Sequence, residues 1–216
     1  VDVGQNQKFV NKSYMNWDVT LEIARGKLEG REPQLLASRA AVSFNEGDQE
    51  FIVSFLNQEH RVKYPSGEVY RPDGEETPIA NKILILHYLE HAEGVPLHHK
   101  WISFKELPCG QIYINPFNNR AIRPLLKLFG QDPQGLIRAG LALGGWKESF
   151  GNASVAVPVF PMVPVVYVIW EGDEEFAATG NILFDQSAPS YLPLEDCVVI
   201  ASTALFELRK ILDRQA

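Results

Sequence analysis

Four carboxylates crowd into one short run, Glu171, Asp173, Glu174 and Glu175, directly after Trp170, and Asp185 closes the next apolar stretch. Hard cations such as Mg²⁺ and Ca²⁺ take oxygen ligands, and two carboxylates divide acid and base roles when burial pushes their pKa values apart. If the two stretches are strands whose ends adjoin, the group converges into a carboxylate-based, divalent-metal-assisted active site. The competing reading is a solvated turn in which Asp173 bonds local amides and the glutamates face water. The spacing matches no established Ca²⁺ loop.

Histidines form the second group. His87 and His91 stand one helical turn apart, and His98 and His99 follow, so that four of the five histidines lie close together in the chain. That spacing can chelate zinc, but a zinc site needs a third protein ligand and a partner for each imidazole, and neither is identifiable in the sequence. Packed, hydrogen-bonded histidines are the alternative. Trp101, Trp146, Trp170, Tyr113, Phe117 and Tyr167 supply aromatic surface either for a pocket that holds a flat ligand, tetrapyrroles included, or for an ordinary core. Arg120 and Arg123 offer forked donors for a carboxylate or phosphate, or for a surface ion pair.

Other machinery is missing. The chain has no Gly-x-x-x-x-Gly-Lys, no Gly-x-Gly-x-x-Gly after a strand, no Gly-x-Ser-x-Gly and no His-Glu-x-x-His. Cys109 and Cys197 make no Cys-x-x-Cys and are too few to hold an iron–sulfur cluster or a structural zinc. Two buried thiols are expected, and no cofactor is named by the sequence. A net charge of −7 without any Lys/Arg run argues against nucleic acid and against anionic membrane surfaces. The uncharged run 154–170 is long, but Pro158, Pro161 and Pro164 forbid a membrane-spanning helix. With no leader signal read at the N-terminus, the expected location is the cytoplasm.

The elements that must position these groups follow from periodicity. Trp17, Leu21, Ala24 and Leu28 fall at helical spacing, Pro33 opens a shorter helical turn, and Thr77-Pro78 predicts a capped helix to about Glu93 that is apolar over most of its circumference. Alternating segments at 41–44, 51–56, 60–64 and 69–70, separated by turn residues, predict an antiparallel meander. A further hairpin is expected from 101–107 and 111–114 around Pro108-Cys109-Gly110, then helices over 121–129 and from Asp132-Pro133 to Gly144-Gly145. Strands near Val155, at 163–170 and at 181–184 precede a terminal helix over 194–212. No low-complexity linker divides the 216 residues, and several strand connections are too short for a parallel crossover. The reading is one α+β domain, mainly antiparallel sheet with packed helices.

Taken together, several blocks resemble one family. They are Leu-His-Tyr-Leu at 86–89, Gly-Val-Pro-Leu at 94–97, Trp-Ile-Ser-Phe-Lys-Glu-Leu at 101–107, Tyr113 with Phe117, Trp-Glu-Gly-Asp-Glu-Glu-Phe at 170–176, Ile-Leu-Phe-Asp at 182–185 and Tyr-Leu-Pro-Leu-Glu-Asp at 191–196. As a set they are similar to the domain of unknown function 3786 family, which transfers no catalytic residue. Relatives occur in anaerobic bacteria and archaea, and some carry a four-cysteine iron–sulfur motif ahead of this domain. The resemblance implies a non-catalytic accessory or ligand-binding module in anaerobic metabolism, partnered by an iron–sulfur or corrinoid protein, with any cluster carried by a different chain.

Overall fold

Asn16 starts the first helix, α1 (Trp17–Gly26), by accepting the Val19 amide at 3.4 Å. In this computed structural model residues 16–215 are described; the leader signal read as missing from the N-terminus concerns residues outside them. Glu32 caps α2 (Pro33–Arg39) through the Gln34 and Leu35 amides, with Pro33 at the position where a missing amide hydrogen costs nothing.

The expected meander follows as β1 (Ser43–Asn45), β2 (Glu50–Phe55), β3 (Gln58–Lys63) and β4 (Val69–Tyr70), antiparallel in that order. Leu56 and Asn57 both take positive φ between β2 and β3, the tight turn whose twist matches the flanking strands.

Helix α3 (Ile79–His91) begins one residue later than a Thr77 cap requires. Pro78 occupies the cap position in an extended conformation, and the Thr77 hydroxyl is buried without a partner among the described residues. Ile83, Leu84, Ile85, Leu86, Tyr88 and Leu89 are all buried, as an all-round apolar helix requires.

The hairpin expected around Pro108-Cys109-Gly110 does not form. After β5 (Trp101–Ser103) the chain turns into a 3₁₀ segment, Phe104–Glu106, because the Glu106 carboxylate takes both the Ser103 amide and hydroxyl at 2.8 Å. Residues 111–113 form a turn, α4 (Ile114–Phe117) begins earlier than expected, and a wide π turn (Asn118–Ile122) leads into α5 (Arg123–Phe129) and then α6 (Pro133–Ala142).

The second sheet comprises β5, β6 (Trp146–Lys147), β7 (Ala153–Phe160), β8 (Val163–Trp170) and β9 (Thr179–Asp185), all antiparallel in the order β5-β9-β8-β7-β6. Pro158 and Pro164 face each other beyond the last β8–β9 pair, beside a register shift, so neither interrupts the central ladder. The terminal helix α7 (Leu194–Gln215) closes the structure, and no described helix is long and apolar enough to cross a membrane.

Two antiparallel sheets with packed helices make this an α+β fold. One contiguous core joins them. The Leu56 amide donates to the Val159 carbonyl at 2.9 Å, Phe55 meets Phe160 at 4.8 Å between ring centres, and Tyr88 of α3 stacks on Phe160 at 4.2 Å. Within the same core α6 lies directly on β7 at Gly140, where a Cβ would stand 2.4 Å from a Val155 methyl.

Candidate functional site

The acidic turn and Asp185, which sequence spacing groups together, are held apart by the second sheet. Trp170 pairs with Thr179, so the acidic turn 171–175 sits at the start of β9, whereas Asp185 ends that strand. Six residue steps at about 3.3 Å each separate them by ~20 Å. Convergence on one cation is overturned by this register. The turn itself takes the solvated form: the Asp173 carboxylate accepts the Glu175 and Phe176 amides at 2.9 and 2.8 Å, which hold it below the usual carboxylate range, and Trp170, Glu171, Glu174 and Glu175 are exposed. An open, polar hollow of about 450 Å³ lies between this turn and Gly130, Gln131 and Pro133.

Asp185 is buried and organises its own surroundings. Its Oδ1 accepts the Ser187 amide at 2.9 Å, the Ser187 hydroxyl at 2.7 Å and the His98 amide at 3.0 Å. Burial favours the neutral acid, but these donors outweigh it and keep the carboxyl below its ordinary value. Its position is that of an anchor for the segment entering β5.

The aromatic set does not gather around one ligand either. Phe117 stacks on Phe104 at 4.0 Å and Tyr167 donates to the Ala201 carbonyl at 2.8 Å, both inside the core. Trp101 and Trp146 lie on opposite edge strands of a five-stranded sheet, four strand spacings or ~19 Å apart. Tyr113 is exposed on the turn before α4. Arg120 and Arg123 are exposed on the π turn and the start of α5, and neither forms an ion pair among the described residues. Cys197 is buried, where desolvation pushes its thiol up, but Cys109 is exposed, against the expectation of two buried thiols; both are free.

Two features that spacing alone did not bring together stand side by side at the start of α7. His87 of α3 places Nδ1 2.6 Å from Oδ2 of Asp196. Burial disfavours the charged imidazole, yet the Asp196 hydrogen bond and charge, with the charge of Glu90, outweigh it and leave His87 above its usual range. His91 follows one turn on, its ring centre 5.9 Å from that of His87. Flanking Asp196 in the chain, Pro193, Leu194 and Cys197 join Leu107, Pro108, Pro189 and Leu192 around a mainly apolar cleft of about 240 Å³. The only sequence signal for this pairing was that Leu-His-Tyr-Leu and Tyr-Leu-Pro-Leu-Glu-Asp both belong to the recognised blocks; a separation of 109 residues hides the contact itself. No group of three His, Cys, Asp or Glu side chains is gathered for a metal among the described residues.

The fold and its surface define an α+β protein with a small apolar cleft beside a histidine–aspartate pair. The chain belongs to the family described as Domain of unknown function (DUF3786), whose profile matches residues 32–206. No curated protein and no solved structure matches it significantly.

Proposed function

We propose that the chain is a non-catalytic accessory module, folded as a single domain, whose apolar cleft receives a side chain of a partner protein. The observation that carries this reading is the size and lining of the cleft. At about 240 Å³ it is smaller than the roughly 300–1,000 Å³ of small-molecule sites, so a tetrapyrrole does not fit inside it, whereas an apolar side chain does. Pro108, Pro189 and Pro193 stiffen its walls, which lowers the ordering cost of docking. The partner is an iron–sulfur or corrinoid protein of anaerobic metabolism in the cytoplasm, and the redox centre belongs to that partner. The ~20 Å gap between the acidic turn and Asp185 leaves the carboxylate-enzyme alternative without its constellation.

Leu194→Asp tests this reading. Leu194 opens α7, where an acidic residue suits the helix dipole, so the variant charges the cleft without opposing the helix. Anoxic affinity purification with wild type, Leu194→Asp and the acidic-turn variant Glu174→Gln is expected to retain a protein absorbing in the visible with wild type and Glu174→Gln, and to lose it with Leu194→Asp. Retention by all three, or by none, overturns the reading.

A further inference from the structure

We propose that His87 and His91 form a binding site for zinc or a similar borderline divalent transition ion, with Asp196 as its positioning residue. Both imidazoles lie on one face of the last turn of α3, partly open to solvent, with side chains 21% and 44% exposed. A zinc–nitrogen bond of about 2.0–2.1 Å puts a coordinating ring centre roughly 3.2 Å from the ion, so two such rings have centres no more than about 6.4 Å apart. The observed 5.9 Å lies within that reach.

Asp196 supplies one of the groups the sequence withheld, a partner for the His87 imidazole. In the neutral ring the Asp196 carboxylate takes the Nδ1 hydrogen of His87, which leaves the lone pair on Nε2, fixes the ring in place and makes it more basic. A carboxylate behind a metal-binding imidazole is the usual arrangement in zinc sites. Two carboxylates border the pair: Asp196, and Glu90 with Oε2 3.8 Å from His91 Nε2. Two cations stand behind Glu90, Lys27 at 3.7 Å from its other oxygen and Arg31, whose guanidinium donates to its carbonyl at 2.8 Å. Residues 87–91 therefore read His-x-x-Glu-His, a spacing that zinc enzymes use on a helix. No third protein ligand is gathered among the described residues, so this is a two-imidazole site, short of the three or four protein ligands of resident zinc, with solvent in the remaining positions and an exchangeable ion.

The site adjoins the cleft proposed above but does not need its occupant, and zinc titration of the full chain in a Cys109→Ser background tests it without any partner. A chromophoric chelator competing for Zn²⁺ is expected to show one ion per chain, and ring resonances of His87 and His91 are expected to shift together on its addition. Asp196→Asn is expected to weaken binding by about 10–100-fold with the helical circular dichroism unchanged, as loss of a carboxylate behind a ligand does. His91→Gln removes the binding, and His98→Gln leaves it intact. Absence of zinc binding in the parent protein overturns the site, as does binding that survives His91→Gln.

Discussion

Removing a single oxygen at Tyr88 tests whether α3 ties the two sheets together. The phenol of this buried residue donates to the Ala40 carbonyl at 2.6 Å and accepts the Met162 amide at 3.2 Å, so one side chain bridges the end of α2 and the β7–β8 turn. Tyr88→Phe keeps the stack on Phe160 and creates almost no cavity, so its cost is polar. The part-buried Met162 amide left without a partner costs about 1–3 kcal/mol, and a carbonyl deprived of one donor costs less. Relief from burying the hydroxyl offsets part of this, for a net loss of about 2 kcal/mol. In a chain of 216 residues each kcal/mol lowers Tm by ~2–4 °C, so the expected drop is about 4–8 °C. Urea titration should show the same loss as a lower midpoint at unchanged slope. A change below about 0.5 kcal/mol would refute the bridge, and a changed slope would show that the substitution altered more than these two bonds.

Two further expectations concern titration. Because the folded pKa of His87 is raised, its pairing with Asp196 stabilises fully below the unfolded value near 6.5 and fades as pH rises through the folded value. His87→Gln should therefore cost most below that unfolded value and least in alkali, as urea midpoints across the range will show; the opposite trend would contradict a raised pKa. For Asp185 the folded pKa is lowered, so its contribution is present above the unfolded value of about 3.9 and is lost as pH falls through the folded one. Asp185→Ala should destabilise by about 2–4 kcal/mol at neutral pH by stranding the Ser187 and His98 donors, and by much less in acid.

Local chemistry carried most of the architecture in readable form. Pro33 and the helical spacing from Trp17 announced the first two helices, turn residues marked the meander, and three prolines ruled out a helix over 154–170. The exceptions have different causes. At Thr77 the helix starts one residue later, with Pro78 in the cap position, and the hairpin expected after Trp101 gave way to the local Ser103–Glu106 capping box, while β5 found its partner in β9 instead. A strand-like sequence states that it wants a neighbour, but the identity of that neighbour depends on packing across some eighty residues.

The candidate sites divide along the same line. Composition and spacing alone determined the absence of common nucleotide and hydrolase motifs, the shortage of cysteines and the one-turn spacing of His87 and His91, because these are properties of neighbouring residues. Only the tertiary structure decided that Asp185 points its carboxylate into the chain entering β5 and lies a strand length from the acidic turn. It alone set Asp196 against His87 and gathered Leu107, Pro108 and the start of α7 around a cleft. Strand register and helix docking fix such distances, and both are settled by burial of the common core, which no stretch of a few residues encodes.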